Sequence, residues 1–154
     1  MLKIIVSQWD KNKENLRKIF SERTDMNEVD YKDLVKLTFD TIYNNNLDLS
    51  EVNKLDLEKI TEIDNGDYQG TLLFLIPFDT YQPSEYEYLM TFVGYGSCSG
   101  CDTLQSIQHG YHQKLTEGQV NDFMTLCKDI LTNTIRPYNC GWREQEVFNQ
   151  AEEV

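Results

Sequence analysis

The stretch that decides the fold spans residues 57–78 and reads LEKITEIDNGDYQGTLLFLIPF. It holds two candidate strands, the first with imperfect alternation, on either side of Asn65-Gly66, the strongest short signal for a β-hairpin, because both central positions of a type I′ turn need positive φ. We therefore predict strands over 57–64 and 68–78. The second run is apolar on both faces, which is typical of a central strand covered on both sides, and Pro77 is expected at its end.

The residues that follow this hairpin in the chain predict a third strand over 86–93. Three strands joined by short links favour an antiparallel meander. Apolar residues at helical spacing predict four helices around the meander, over 2–22, 29–43, 102–108 and 117–135, and a last turn or two after Trp142. The order of elements indicates an α+β fold, a three-stranded antiparallel meander with two N-terminal helices and one or two C-terminal helices.

The length and composition of the chain limit the classes of function that are possible. The chain has 154 residues, of which 14 are basic and 26 acidic, so its formal charge is −12. This length predicts one globular domain over 1–154. The acidic excess disfavours direct nucleic-acid binding, which needs Lys and Arg in number. The sequence has no apolar run of about 18 residues, and its first apolar patch is too short for a secretory signal, so we expect a cytoplasmic protein with no membrane association.

Negative charge concentrates in the predicted sheet region, where residues 51–100 hold nine acidic residues and two basic ones, Lys54 and Lys59. One interpretation is a solvated acidic surface. The other is a negative face presented to a basic partner protein, with tyrosines supplying contact area and hydroxyl groups. On that interpretation the partner-binding residues are Glu58, Glu62, Asp64, Asp67, Tyr68, Asp79, Tyr81, Glu85 and Glu87.

A second feature is the loop between the third strand and the next helix, which is rich in glycine, serine and cysteine. Ser99 or Asp102 is expected to cap that helix, which would place two thiols near its N-terminus. Four interpretations stay open: a structural turn, half of a zinc site, a dithiol redox pair, and a nest of backbone N–H groups that holds an anion. The loop residues are Gly96, Ser97, Cys98, Ser99, Gly100, Cys101 and Asp102.

The zinc alternative needs two ligands beyond the Cys-x-x-Cys pair, because a closed structural site is four-coordinate. Cys127 falls on the apolar stripe of its predicted helix and is expected to be core. The candidate ligands are Cys98, Cys101, His109, His112 and Cys140, with both histidines expected on one side of the short helix. If the loop does not bind zinc, we expect the protein to have no cofactor. We find no signature of a nucleophile with its base, which favours a protein that is not an enzyme.

Three segments carry a resemblance to known proteins: residues 8–13, residues 67–74, and residues 93–104, which include GYGSCSGCDTL. They resemble small acidic proteins encoded by bacteriophages and prophages of Gram-positive bacteria. The resemblance implies an accessory protein in the host cytoplasm and carries no catalytic or binding residue with it. Small acidic phage proteins often bind and block a host protein, including nucleic-acid-binding defence machinery.

Taken together, these features favour a phage-encoded acidic protein that binds a basic host protein, as an inhibitor of nucleic-acid-binding or defence machinery. The alternatives are a small zinc or thiol protein centred on the Cys98–Cys101 loop and a nucleotide-binding sequesterer. The apolar strands are also consistent with a homodimer that buries one face of the sheet.

Overall fold

The computed structural model describes residues 2–45, 54–67, 69–79, 87–97 and 100–135. Along the chain they form α1 (Leu2–Glu22), α2 (Tyr31–Phe39), a π-helical turn (Asp40–Asn44), a 3-10 turn (Leu57–Lys59), β1 (Thr61–Gly66), β2 (Gly70–Pro77), β3 (Tyr88–Tyr95), α3 (Thr103–Ile107) and α4 (Glu117–Thr132). This order confirms the predicted α+β class, with a three-stranded antiparallel meander between two N-terminal and two C-terminal helices. The turn expected after Trp142 lies outside the described residues.

The first helix matches its prediction over 2–22. Its buried stripe contains Ile5, Leu16 and Phe20, with Trp9 half-buried at the edge. Phe20 stacks on Phe123 of α4, with ring centroids 5.2 Å apart. Such offset aromatic pairs add about 0.5–1.5 kcal/mol beyond their buried area, so this contact helps to join the first and last helices.

The second helix begins at a capping box. The Asp30 side chain accepts the Asp33 N–H (2.8 Å), and the Asp33 carboxylate accepts the Asp30 N–H (3.2 Å). Two free N–H groups of the first turn are thereby satisfied, which fixes the start at Tyr31 and not at residue 29. At the far end, the Asn44 amide exchanges two hydrogen bonds with the Leu55 backbone (2.8 and 2.9 Å), which ties the helical layer to the chain before β1.

The sheet has the order β1-β2-β3, so β2 is central, as predicted, and Pro77 is its last residue. The prediction of a two-residue turn at Asn65-Gly66 is wrong, because pairing continues until Gly66 lies opposite Gly70 and residues 67–69 make the connection. A Cβ added at Gly66 would lie 2.8 Å from the Gly70 Cα. The close approach of two glycines therefore extends the ladder past the expected turn.

The helices pack on one face of this sheet. Alternate side chains of the two longer strands enter a single apolar core with residues of all four helices, and the buried ones are Phe74, Ile76, Leu89, Thr91 and Val93. The Thr91 hydroxyl donates to the Ile130 carbonyl (2.7 Å), so the buried polar atom is satisfied by α4. On the outer face Ile63 is 43% exposed and Phe92 is 42% exposed. Within the described residues, coverage of the sheet is therefore found for the inner face alone, whereas the apolar sequence of β2 predicted coverage on both sides.

The segment after α3 differs from its prediction. This helix ends at Ile107, so His109 and His112 lie in an irregular segment and not on one side of a helix. The physical reason is a set of tertiary hydrogen bonds. The Gln108 side chain donates to the Met26 and Val29 carbonyls (3.0 and 2.9 Å), which pulls the chain toward the α1–α2 connection.

The last described helix is capped by Thr116, which forms a capping box with Gln119. It ends at Thr132, three residues before the predicted end. Ile135 instead forms an antiparallel bridge with Met90 of β3, through two N–H···O bonds of 2.8 Å. Within the described part of the chain, no helix combines the length and the apolar character that crossing a membrane requires.

Candidate functional site: an acidic groove beside the first strand

The glycine–cysteine loop is anchored by a buried carboxylate. Asp102 is 3% exposed and caps α3, one of the two caps that the sequence predicts. Its oxygens accept three hydrogen bonds, from the Tyr31 hydroxyl (3.0 Å), the Gln105 N–H (2.9 Å) and the Gly96 N–H (3.0 Å). The Tyr31 hydroxyl in turn accepts the Leu104 N–H (3.0 Å). These bonds join α2, the end of β3 and α3 at one point.

Gly96 occupies the tightest point of the loop. A Cβ there would lie 2.5 Å from the carbonyl carbon of Cys101 and 2.8 Å from its Sγ, so only glycine fits. Cys101 and Ser97 are exposed, with Sγ and Oγ 3.7 Å apart, and Gly100 is exposed. Residues 98–99 lie outside the described residues.

The interpretation of the loop as an anion nest gains no support from this geometry. Three backbone N–H groups that an anion would use, those of Gly96, Leu104 and Gln105, already donate to Asp102 or to Tyr31. The negative charge of the buried Asp102 carboxylate would also repel a phosphate placed beside it.

A groove of about 400 Å³ opens between this loop, the N-terminus of α2 and the inner side of β1. We call it the β1 groove. Its described lining residues are Val29, Asp30, Tyr31, Glu62, Asp64, Leu72, Tyr95, Gly96, Asp102, Leu104, Gln105 and Gln108. Four of these are carboxylates and none is Lys, Arg or His. Carboxylates therefore share the lining with apolar and aromatic side chains, and one of the carboxylates, Asp102, is buried.

Tyr95 lies across one wall of the β1 groove, where its hydroxyl donates to the Asp64 Oδ1 (2.5 Å). The hydrogen bond to Asp64, with the negative charges of Asp64 and Asp67 nearby, raises the pKa of Tyr95 to about 12. Below that pH the phenol stays protonated and holds the Asp64 carboxylate in place. Asp64 keeps further lone pairs for a ligand, since a carboxylate offers about four acceptor positions.

A second cavity of about 540 Å³ adjoins the β1 groove and shares Val29 with it. Its described lining holds five carboxylates and two cations, both of which are paired. Arg23 contacts Asp25 (2.6 Å), which lowers the pKa of that carboxyl, and Lys36 contacts Glu58 (2.7 Å). The pairs leave the cavity net negative, so it continues the acidic surface of the groove.

The predicted partner-binding residues are spread along the sheet. Glu62 and Asp64 line the β1 groove, and Asp67 is exposed just beyond β1. Glu58, in the adjoining cavity, precedes β1 and so lies toward the other end of β2, which Asp79 and Glu87 flank. Tyr68, Tyr81 and Glu85 lie outside the described residues.

The proposed zinc ligands are not brought together among the described residues, where no group of three or more His, Cys, Asp or Glu side chains is placed to hold a metal ion. His112 contacts Glu28 (3.3 Å). Cys127 is fully buried, as expected from its apolar stripe, and burial raises the pKa of its thiol to about 12. Cys98 and Cys140 lie outside the described residues.

Sequence reasoning missed the part of the groove that comes from α2 and the end of β3. Asp30, Tyr31 and Tyr95 were not candidates, although the spacing of Asp30 and Asp33 is a capping-box signal that would have placed a carboxylate at a helix start. Nothing local connects Tyr31 with Asp102, 71 residues further on.

Comparisons with family models, curated proteins and solved structures found no match to this chain. The fold and the groove therefore carry the functional argument.

Proposed function

We propose that this protein is a non-enzymatic binding protein that holds a basic segment of a partner protein against the β1 groove and the adjoining cavity. The observation that carries the proposal is the lining of the β1 groove, which combines four carboxylates with apolar and aromatic side chains and in which no described residue is cationic.

The chemistry of this lining suits lysine and arginine side chains. Their aliphatic stems cover apolar surface while the charged ends seek carboxylates, so Leu72 and Leu104 would contact the stem, and Glu62 and Asp64 the charged end. Asp102 already has three donors and serves to hold the groove's wall. The remaining negative charge would steer a basic partner toward the groove and raise its association rate at low salt.

The resemblance to small acidic phage proteins suggests the kind of partner. Host proteins that bind nucleic acid or act in defence carry basic surfaces, and an acidic protein seated on such a surface would exclude the nucleic acid. In this setting the protein would act as an inhibitor in the host cytoplasm. This assignment rests on the resemblance and on the charge of the groove together.

The test compares two variants that lose the same charge. The first variant, Glu62→Gln with Asp64→Asn, replaces two carboxylates of the β1 groove by amides. In the second, Asp122→Asn with Asp129→Asn, two exposed carboxylates leave α4. Each is used to capture partners from host lysate, and the captured partner is then titrated against both variants and the wild type at low and high salt.

We expect the groove variant to bind at least about tenfold more weakly than the wild type, while the α4 variant changes little. Wild-type affinity should fall as salt rises, because the contacts are between charges. Equal capture by both variants, or an affinity that stays flat with salt, would contradict the proposal.

A further inference from the structure

A second groove runs along the seam between α1 and α4 and has the opposite charge. Two neighbouring concavities of about 350 and 240 Å³ share Trp9, Lys13 and Lys128. Ile5 and Leu131 lie at one end, and Arg17 and Asn121 at the other, so the two helices run antiparallel along it. We call this surface the α1–α4 groove.

The floor and rim of the α1–α4 groove differ in chemistry. Its floor consists of half-buried Trp9 and of Ile5, Met124 and Leu131, which are 3%, 7% and 2% exposed. Cations stand at its rim: Lys13, Arg17 and Lys128. Within the described part of the chain none of these three forms an ion pair, and Arg17 is held by a hydrogen bond to the Asn121 side chain (2.7 Å). Asp10 and Glu14 also line the groove, so cations exceed carboxylates there by three to two, a local positive excess that contrasts with the net charge of −12.

We infer that the α1–α4 groove is a docking surface for an acidic amphipathic helix of a partner protein. From Ile5 to Arg17 the groove follows roughly 18 Å of α1, at 1.5 Å per residue, which is the length of about three helical turns. A helix with apolar residues at i, i+3, i+4 and i+7 would fill the floor, and glutamates beside that stripe would meet the lysines of the rim.

The same observations favour a helix over a nucleic acid. Phosphate backbones need a continuous cationic track, whereas the rim also contains Asp10 and Glu14. Trp9 offers a single stacking position, whereas proteins that bind single strands stack successive bases on several aromatic side chains. The groove is also on α1 and α4, so it can act independently of the β1 groove.

The experiment uses a capped peptide of about 14 residues with leucines at i, i+3, i+4 and i+7 and glutamates beside them. Trp9 serves as the reporter in a Trp142→Phe background, which leaves one tryptophan. The peptide is titrated into this protein and into its Lys13→Glu, Lys128→Glu and Lys18→Glu variants. Lys18 is an exposed α1 residue that does not line the groove, so its variant is the matched control. A thermal melt of each variant checks that it folds.

We expect a saturable change in Trp9 emission as the peptide binds. Lys13→Glu and Lys128→Glu should each weaken the affinity for the peptide by about five- to tenfold, and Lys18→Glu should leave it unchanged. A peptide with lysine in place of glutamate should not bind. Four results would overturn the inference: no Trp9 response at about 1 mM peptide, an equal response to the lysine peptide, tighter binding of a single-stranded oligonucleotide, or self-association that Lys128→Glu abolishes. The last would assign the groove to a second copy of this chain.

Discussion

Replacing Asp102 by asparagine tests whether one carboxylate holds the loop, α2 and α3 together. The substitution keeps the size and shape of the side chain and removes its charge. Asn would keep one oxygen for the Tyr31 hydroxyl and the Gln105 N–H, while its amide nitrogen would face the Gly96 N–H, so that two donors oppose each other.

The expected cost follows from these three bonds. A hydrogen bond to a charged group contributes about 1.5–3 kcal/mol, and a buried donor left unsatisfied costs about 1–3 kcal/mol. The two bonds that survive lose the strengthening that charge gives them. Relief of the desolvation of a buried carboxylate offsets part of this loss. We expect a net loss of about 3 kcal/mol in the free energy of unfolding, which corresponds to a fall of about 6–12 °C in Tm.

The assay is urea unfolding followed by circular dichroism, with Asp67→Asn as the control. Asp67 is exposed and its replacement changes the net charge equally, so its unfolding free energy should stay within about 0.5 kcal/mol of the wild type. Tyr31→Phe should cost about 1–2 kcal/mol, and the double variant should lose less than the sum, because the two residues share a bond. If Asp102→Asn unfolds at the same urea concentration as Asp67→Asn, the anchoring role is refuted.

Two further predictions concern the thiols and the tyrosine of the groove. With the two cysteines outside the described residues replaced by serine, a thiol reagent should modify Cys101 rapidly and Cys127 only in denaturant, because Cys127 is fully buried and Cys101 is exposed; rapid loss of both thiols in the folded protein would contradict the structure. The ¹³C resonance of the Tyr95 ring, assigned with Tyr95→Phe, should titrate near pH 12 and move toward 10 in Asp64→Asn. Since the folded-state pKa is raised, the Tyr95–Asp64 bond stabilises the protein fully below about pH 10 and is lost as pH rises through about 12; a pKa near 10 in the wild type would show that the bond is absent in solution.

The elements that sequence predicts well are those whose signals are local and mutually consistent. The spacing of Ile5, Leu16 and Phe20 defines one face of α1, and that helix forms over the expected residues. The first strand is less well predicted, since it begins at Thr61 and Leu57–Lys59 form a 3-10 turn. The two longer strands and the antiparallel order follow from apolar runs separated by short links. In each case propensity, pattern and tertiary packing favour the same structure.

Prediction from sequence fails where a contact with a distant part of the chain determines the local structure. Asn65-Gly66 is a strong turn signal, yet Gly70 allows the ladder to continue past it. The two histidines expected on one side of the short helix lie beyond its end at Ile107, because the Gln108 side chain binds backbone carbonyls about 80 residues earlier. The same limitation applies to the β1 groove. Glu62, Asp64 and the glycine–cysteine loop were separate candidates, and only the fold shows that they line one surface.

Net charge alone gives a poor description of how this protein would meet a partner. A uniformly negative body would attract a basic protein to every face, with no preferred orientation. The structure instead separates charge. Helix α1 carries five basic residues and three acidic ones, whereas every charged residue in the described lining of the β1 groove is a carboxylate. The resulting field has a direction, so a basic partner would be turned toward the β1 groove and away from α1 before contact. In the proposed complex, the placement of charge on the fold would therefore determine which face binds, and a protein of the same composition with scattered charges would lack that preference.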